Sequence, residues 1–567
     1  MALINKFFPS VNRIEYRPDA SPEDSMVFRH YNPNETVHDR TMEEWLRFSP
    51  CYFNMFRYFG TDDHYGYRTH IRPWDEGYSW TAKHNGRTNY DMGSKYMDKS
   101  TYDMGGKYMD KSTYDVGKRS MSPHRAYDDV RKGRINPPIP LSYCGYDDRK
   151  GRSWENGSRS LSNYKRRMQA AFEFFSKLGV RYYSASDRDF APEGENWEET
   201  NSMLEETTNM ACNLQQHSGM RPLYFAADLF SHPRYMNGAA TNPDFHVFAY
   251  ACAQVKQAMD MAKRLQAENF VFFHPRDGYQ NPLQRQIYRD IQHLGHLYRM
   301  AAQYKDKIGY KGHLLIQPKP FDPLRHQYES DAMSTMQMLQ HFGMEKSYKL
   351  YVKPAWSRMM GRPYYHDVYM ASTFSMLGLV DAADSYPEVN GTSDICSVNV
   401  HDATIVMKCY MEQKTRSYKS GNEYGYGGFT LSCRVHRESF EPRDMFHGMI
   451  LTMDTYACAL KNAARMLSDG CFARNLHQRY ISYKSGFGDK LDKGSTSFEE
   501  CEEYIRSPGD VQVHSSRHEQ HEQMFNYYVY PSVKYSDGYS GRMLGSSWKS
   551  TERLQYETAI EISRDSK

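Results

Sequence analysis

The chain has 567 residues, with 72 Lys and Arg against 69 Asp and Glu and a formal net charge of +3. This near-balance excludes a polycation that binds nucleic acid by bulk charge alone. The mean hydropathy of -0.82 marks a polar average, yet 39% of the residues are hydrophobic, which suffices for one large core or several smaller ones.

The beginning of the chain predicts neither a secretory signal nor a membrane anchor. MALINKFFPSVNRIEY contains no apolar stretch of signal-peptide length, and no window approaches the roughly 18 uninterrupted apolar residues of a membrane span. Ten cysteines are scattered without a C-x-x-C pair, a pattern typical of reduced cytosolic thiols. We therefore expect a cytoplasmic protein that binds neither membranes nor nucleic acid.

Short β-rich runs alternate with amphipathic helical segments from about residue 165 onward. Segments such as Phe245–Glu268 and Asn281–Lys305 carry apolar residues at helical intervals. Eight strands are predicted in chain order: Tyr52–Phe59, Val180–Ala185, Leu223–Ala226, Phe270–His274, Leu314–Gln317, Lys349–Lys353, Leu377–Asp381 and Gly428–Ser432. This alternation predicts an α/β fold and favours a closed (β/α)8 TIM barrel over an open doubly wound sheet.

Composition divides the chain into five segments. Residues 1–76 form an N-terminal segment with the first strand, residues 77–161 a Tyr-rich insertion, and residues 162–440 the remainder of the barrel. A helical C-terminal extension over 441–531 and a Tyr/Ser-rich tail over 532–567 follow.

The insertion contains a repeat with a period of 12 residues. YDMGSKYMDKST is followed by YDMGGKYMDKST and YDVGK, so that Tyr90, Tyr102 and Tyr114 occupy equivalent positions. A unit this short, with few aliphatic residues, cannot bury a core of its own. The segment is either a disordered insertion or an extended strap that orders on a partner. The 47 tyrosines of the whole chain indicate either partner-facing surfaces or biased composition.

Motifs at the predicted strand ends resemble those of the long-chain class of xylose isomerases. They include TMEEWLRFSPCYFNMF at 41–56, AAFEFFSKLGV at 170–180, DRDFAPEG at 187–194 and FSHPRYMNGAATNPDFHVFAYACA at 230–253. The resemblance implies a TIM barrel with a helical C-terminal extension and, in the family, tetramers. It also implies the family's reaction, a hydride shift between adjacent carbons of an aldose. Two divalent metals held in carboxylates run that shift, and a His–Asp pair opens the sugar ring.

Aligned with those motifs, most of the family's functional side chains are replaced in this chain. The ring-opening histidine falls on Ser186, while its partner aspartate is kept as Asp189 and the substrate lysine as Lys319. The seven metal-ligand positions fall on Gln317, Lys353, Trp356, Asp381, Thr392, Asp394 and Ser432. Of these, Asp381 and Asp394 alone keep a carboxylate.

Lys353 occupies the position of the glutamate that bridges both metals in the family. A protonated ammonium has no lone pair to donate and places positive charge where a dication would sit. We therefore expect no metal, no other cofactor and no enzymatic activity, with Lys353 paired to Asp381 or its neighbours. Asp189, Lys319 and Asp381 are then interpreted as a buried ionic network.

Two alternatives to an inactive site stay open. One is a pocket that binds a sugar, phosphate or nucleotide through Lys319, Lys353, Arg276 and His274. The other is a metal-dependent aldose–ketose isomerase with altered or residual activity.

The replacements predict a xylose-isomerase-like pseudoenzyme that serves as a structural component of a larger assembly. Its predicted partner contacts are Tyr90, Tyr102 and Tyr114, and one extended repeat spans about 40 Å. Short Tyr/Gly/Lys repeats of this reach resemble segments of proteins that line ciliary microtubules. The candidate partner is therefore the tubulin lattice, and the candidate location is the cilium or cytoskeleton. Tyr65 resembles the family's subunit contact, so a homo-oligomer is an option unless the insertion blocks it.

Overall fold

The computed structural model describes residues 6–57, 61–62, 153–154, 160–320, 323–386, 392–419, 427–436, 439, 441–506 and 511–530. Tyr65, the repeat with Tyr90, Tyr102 and Tyr114, and the tail over 532–567 lie outside the described residues. The chain divides into two compact units, Met1–Ala464 and Arg465–Lys567.

Eight parallel strands form a closed barrel. They are β1 (Ser49–Pro50), β2 (Tyr182–Ser186), β3 (Arg221–Ala226), β4 (Asn269–Phe272), β5 (His313–Ile316), β6 (Tyr348–Val352), β7 (Leu377–Asp381) and β8 (Phe429–Leu431). From β2 to β8 each strand pairs with the next, and β8 pairs with β1. The circle closes between β1 and β2, because Cys51 bridges Ser184 and the hydroxyl oxygens of Ser49 and Ser184 are 2.6 Å apart. This closure confirms the predicted TIM barrel and excludes the open sheet.

The first strand lies upstream of its predicted position. Tyr52–Phe59 is predicted as a strand, but the strand is Ser49–Pro50 and a π-helical turn follows at Phe53–Arg57. Tyr52, Met55 and Phe56 are buried. The prediction is wrong because a short apolar run does not distinguish a buried strand from a buried helical turn.

A helix lies between each pair of successive strands, and another follows the last strand. The helices are α1 (Leu161–Leu178), α2 (Trp197–Ser218), α3 (Phe245–Arg264), α4 (Ile287–Ile308), α5 (Ala332–His341), α6 (His366–Thr373), α7 (Val400–Lys419) and α8 (Pro442–Asp469). Side-chain oxygens of Ser160, Asn196 and Asp331 cap α1, α2 and α5. Gly179 ends α1 with a left-handed φ of 81°, which glycine adopts without strain.

Shorter elements decorate the barrel. Paired strands are Glu15–Tyr16 with Val27–Phe28, Thr36–Val37 with Arg40–Thr41, Thr61–Asp62 with Val435–His436, Gly278–Tyr279 with His326–Gln327, and Asp384–Tyr386 with Thr392–Ile395. Short helices are Met42–Leu46, Asp187–Phe190, Pro233–Tyr235, Pro282–Gln284 and Pro354–Met359. Across the described part of the chain, a helix with the length and apolarity to cross a membrane is not found.

The second unit is helical where it is described. Its helices are Cys471–Arg479, Ile481–Lys484, Gly486–Asp492, Phe498–Arg506 and His518–Val529. Together with α8, these helices confirm the predicted helical C-terminal extension.

Apolar side chains fill the inside of the barrel. One cluster consists of Leu223, Ala226, Val271, Leu315, Tyr351 and Leu379, from five consecutive strands. The Tyr351 hydroxyl leaves this cluster and donates a hydrogen bond to the Asp381 carboxylate at 3.0 Å. The core therefore ends at the carboxyl ends of the strands, where polar side chains begin.

At the other end of the barrel, Arg47 contacts residues at the amino-terminal ends of the strands. Its guanidinium donates to the Gly427 carbonyl at 3.0 Å and to the Tyr182 hydroxyl at 2.9 Å, and it pairs with Glu268. The Lys414 ammonium is buried nearby, 4.8 Å from the centre of the Tyr410 ring. Burial, together with the charges of Arg47 and Arg40, lowers the pKa of Lys414 to about 7.

A Lys414→Met variant is expected to be more stable than the parent chain at pH 7, by about 2–4 kcal/mol, because a buried ammonium is removed. The folded pKa of about 7 lies below the ordinary value of 10.5, so the unfolded state binds more protons between these pH values. The parent's free energy of unfolding should therefore rise with pH over this range and approach that of the variant near pH 10.

Urea unfolding at several pH values measures this difference. Lys408→Met is the matched control, since Lys408 lies on the same helix and pairs with Glu412 at 2.8 Å near the surface. A Lys414→Met difference that stays constant from pH 7 to 10 would contradict the prediction.

Candidate active site

A cavity of about 140 Å³ opens at the carboxyl ends of the barrel strands. Its polar lining includes Asn54, Ser186, Asp189, Asp228, Gln317, Lys319, Lys353, Asp381, Asp394 and Ser432, and its apolar wall includes Phe53, Phe230, Phe273 and Trp356. This is the end of a TIM barrel where catalytic groups are found, because the loops after all eight strands converge there.

Lys353, Ser432 and Asp381 form one hydrogen-bonded chain at the ends of three neighbouring strands. Lys353 and Ser432 directly follow β6 and β8, and Asp381 is the last residue of β7. The Lys353 ammonium donates to the Ser432 hydroxyl at 2.9 Å, and that hydroxyl donates to Asp381 Oδ2 at 2.5 Å. The ammonium lies 3.7 Å from the same carboxylate oxygen. The predicted pairing of Lys353 with Asp381 is thus present in the structure.

Asp381 is held on both of its carboxylate oxygens. Oδ2 also accepts from the Tyr351 hydroxyl at 3.0 Å, and Oδ1 accepts from the Ala383 amide at 3.0 Å. The carboxylate is 1% exposed. Its position is therefore fixed by donors from several strand ends, and it fixes Lys353 and Ser432 in turn.

The second retained carboxylate, Asp394, belongs to the strand Thr392–Ile395 and is paired with Arg434. The Arg434 Nε and Nη2 atoms lie 2.7 and 2.6 Å from Asp394 Oδ2. Arg434 is buried, so the pair is largely withdrawn from water.

Trp356 closes one side of the cavity. Its ring lies parallel to that of Phe273, at 6° and with centroids 5.9 Å apart. The ammonium groups of Lys319 and Lys353 lie 5.6 and 5.4 Å from the centre of the indole ring. Both lysines are therefore within the range at which a cation is attracted by an aromatic face.

These residues do not fit the two divalent metals that the family resemblance implies. Metal centres of this kind need several negatively charged oxygen ligands, yet Asp381 and Asp394 each already contact a protonated side chain. An indole at Trp356 and an ammonium at Lys353 offer no lone pair. Within the described ranges, three or more His, Cys, Asp or Glu side chains placed to hold one metal ion are not found.

Ser186 and Asp189 lie on another wall of the cavity. Ser186 ends β2, and Asp189 belongs to the helical turn Asp187–Phe190. Asp189 Oδ2 accepts from the Ser186 amide at 2.7 Å and from its hydroxyl at 3.0 Å. Ser186 thus orients the Asp189 carboxylate.

Four predicted binding residues divide into two groups. Lys319 and Lys353 line the cavity, whereas His274 and Arg276 are not among the described lining residues. His274 Nδ1 lies 3.1 Å from the Tyr298 hydroxyl and 3.6 Å from Glu329. Burial, the largest influence, lowers the His274 pKa, but the hydrogen bond and charge of Glu329 and the charge of Asp277 raise it overall.

Arg276 contacts the backbone, since its Nε donates to the Phe230 carbonyl at 2.9 Å.

Two predicted metal-ligand positions remain, Gln317 and Thr392. Gln317 directly follows β5, and Thr392 is the first residue of the strand Thr392–Ile395. Gln317 lines the cavity.

Several lining residues were not predicted from the sequence. Asp228 follows β3 by two positions, and its Oδ2 accepts from the Ser231 hydroxyl at 2.7 Å. Asn54 donates through its side-chain amide to the Ser432 carbonyl. Asp381 was identified through the family resemblance, whereas a carboxylate just beyond a predicted strand is the signal that could have identified Asp228.

Comparison with known proteins gives a consistent set of relatives. The family model for the XylA2 C-terminal domain matches residues 476–529. A xylose isomerase from Rhodopirellula baltica is 32% identical over 523 residues, covering 92% of this chain and 99% of that protein. One from Arabidopsis thaliana is 31% identical over 519 residues, 92% of this chain and 90% of its own length. One from Hordeum vulgare is 37% identical over 372 residues, which covers 66% of this chain and 76% of that protein.

These relatives contradict the prediction that the chain is not an enzyme. That prediction depended on the residues at the metal-ligand positions and on Ser186 at the position of the ring-opening histidine, whereas proteins named xylose isomerase align with the chain over nearly its whole length. The relatives therefore point to an isomerase.

Proposed function

The chain belongs to the xylose isomerase family, and we propose on this basis that it is an aldose–ketose isomerase with altered chemistry, acting on a small aldose in the cavity. The main support for this proposal is that a cation and a carboxylate line the same cavity. The Lys353 ammonium, held by Ser432 and Asp381, borders the same space as the Asp189 carboxylate. Interconversion of an aldose and a ketose by proton transfer requires a base that removes a proton from carbon and a group that donates a proton to oxygen.

In the open-chain aldose, Asp189 takes the proton from C2 and returns it to C1. Lys353 hydrogen-bonds the two substrate oxygens and stabilises the negative charge that develops on them as the enediol forms. The ammonium gives a proton to O1 and receives the proton of O2, so that both residues end in their starting states. No step passes through a metal, because the residues present do not fit one.

The remaining network holds these groups in position. Ser186 fixes the orientation of the Asp189 carboxylate, and Asp381 fixes Lys353 through Ser432. Phe273 and Trp356 supply a flat apolar wall, against which the C–H face of a sugar packs while water is excluded. Lys319 adds a second donor for a sugar hydroxyl on the same side.

Turnover of xylose in D₂O, followed by ¹H and ¹³C NMR, tests the proposal. We expect xylulose to form with deuterium at C1, because the Asp189 proton exchanges with solvent. The rate should be unchanged by EDTA, because the residues do not fit a divalent ion. Sugar binding without turnover, turnover that EDTA abolishes, or xylulose without deuterium would each contradict the proposal.

The insertion supports a separate proposal that does not depend on turnover. We propose that the repeat with Tyr90, Tyr102 and Tyr114 binds a protein assembly, with the tubulin lattice as candidate partner and the cilium as candidate location. The support is the sequence alone: tyrosine and glycine recur at a fixed period of 12 residues.

Deleting Thr88–Lys118 is expected to abolish co-sedimentation of the full chain with polymerised tubulin. A variant with the same residues in shuffled order is the matched control, since it keeps length and charge but loses the period. Equal sedimentation of the parent, deleted and shuffled chains would show that the repeat is not the binding segment.

A further inference from the structure

Two cysteines lie on neighbouring segments beside the cavity. Cys396 directly follows the strand Thr392–Ile395, and Cys433 lies between Ser432 and Arg434. A parallel bridge between Ile395 and Arg434 brings the two segments side by side. All nine cysteines in the described part of the chain are free thiols, and Cys396 and Cys433 lie on these two paired segments.

One turn of α8 confines both sulfur atoms. The Cys396 sulfur lies 3.6 Å from the Arg434 carbonyl oxygen, and a Cβ atom at Gly448 would come within 2.8 Å of it. One turn further along α8, the Thr452 hydroxyl lies 3.5 Å from the Cys433 sulfur. Both thiols are therefore held in place before any reaction.

The two thiols differ in their access to solvent. Cys433 is 0% exposed, whereas Cys396 is only partly buried. A small oxidant from solvent therefore meets Cys396 before it reaches Cys433.

We propose that Cys396 and Cys433 form a dithiol modification site that a peroxide converts to an intramolecular disulfide. The Cys396 sulfur attacks one oxygen of hydrogen peroxide, the O–O bond breaks, and a sulfenic acid and water form. The Cys433 sulfur then attacks the Cys396 sulfur, the S–S bond forms, and the hydroxyl leaves as a second water with the Cys433 proton. Peroxide accepts both electrons, and a dithiol reductant reverses the reaction.

The disulfide would act on the cavity through the neighbours of the two cysteines. Ser432 precedes Cys433 and carries the hydrogen bond from Lys353, and Arg434 follows it and pairs with Asp394. Closing the bond draws these segments together and displaces Ser432 from Lys353. This part rests on the proposed isomerase function, and we expect oxidation to lower turnover by about tenfold or more.

Peptide mapping of the full chain tests the modification directly. The protein is treated with hydrogen peroxide, remaining thiols are alkylated, and the digest is analysed by mass spectrometry. We expect a peptide pair joined through Cys396 and Cys433 with the loss of two hydrogens, and its disappearance after dithiothreitol. Sulfinic or sulfonic acid at Cys396 without the cross-link, or cross-links to other cysteines in equal yield, would overturn the proposal.

Variants separate the modification from its effect on turnover. C396S and C433S should each prevent the cross-link, and C458S on α8 should not. Melting curves of all three establish that they fold. The mapping requires no turnover, so an inactive parent would overturn the isomerase proposal and leave the dithiol site intact. A cross-link that forms while turnover stays unchanged would overturn the effect on the cavity.

Discussion

A Lys353→Met variant is expected to lose isomerase turnover by about 10²–10³-fold, because the cation that stabilises charge on the substrate oxygens is removed. Methionine keeps the length and apolar stem of lysine, so the cavity wall beside Trp356 is preserved. The measurement is the rate of xylulose formation at saturating xylose. Turnover within a few-fold of the parent would show that Lys353 does not take part.

The same variant is expected to be less stable by about 3 kcal/mol, because breaking a buried ion pair leaves a charge without its partner. Asp381 is 1% exposed, and it keeps its hydrogen bonds from Tyr351 and Ser432. Adding Asp381→Asn should recover most of the lost free energy of unfolding, since the unpaired negative charge of Asp381 is then removed too. Urea unfolding of the four proteins in this cycle gives the coupling energy.

Lys349→Met is the matched control for both measurements. Lys349 lies on the same strand, but its ammonium donates to the Ser375 carbonyl at 2.9 Å outside the cavity. It should leave turnover unchanged. If Lys353→Met and Lys349→Met lower turnover equally, the effect of Lys353 is structural.

An Asp189→Asn variant is expected to lose turnover by about 10²–10⁴-fold, because an amide does not act as a base toward the C2 proton. Its side-chain oxygen still accepts from Ser186, so the helical turn Asp187–Phe190 should be retained. Sugar binding by calorimetry should survive, while deuterium incorporation at C1 should disappear. Loss of binding and turnover together would instead assign Asp189 to substrate positioning.

Asp260→Asn serves as the matched control for Asp189→Asn. Asp260 lies on α3, where it pairs with Lys256 at 2.9 Å on the surface. Its replacement tests the general effect of removing one carboxylate from the barrel. Turnover and deuterium incorporation should both remain at the level of the parent.

Much of the barrel could be predicted from the sequence, because each strand and helix leaves a local pattern. β2 to β8 lie within two residues of their predicted bounds. β1 could not be placed, because Ser49–Pro50 is too short to leave a period and the apolar residues after it serve a helical turn. Closure of the sheet depends on its pairing with β8 and β2, which no local pattern encodes.

The positions of the candidate site residues were predicted from the sequence, but most of their contacts were not. The resemblance to xylose isomerase motifs identified Lys353, Asp381 and Asp189, and the carboxyl ends of barrel strands meet in one place. His274 also lies just past a strand, yet its ring turns to Tyr298 and Glu329. Position relative to a strand end indicates proximity to the cavity, but it does not give the direction of the side chain.

The sequence by itself determined the fold class, since the local period of the strands and helices is present in the chain. Through the family resemblance it also predicted that most of the metal-ligand positions are replaced. The sequence also predicted that Lys353 pairs with Asp381 or its neighbours, but only the tertiary structure decided the hydrogen bonds that hold this pair and the partner of Asp394. Ser432 joins Lys353 and Asp381 across separations of 79 and 51 residues. Arg434 forms an ion pair with Asp394, which lies on a different segment of the chain. These pairings depend on the stagger of neighbouring strands in the closed barrel, and that stagger follows from packing of the whole interior, not from any one segment.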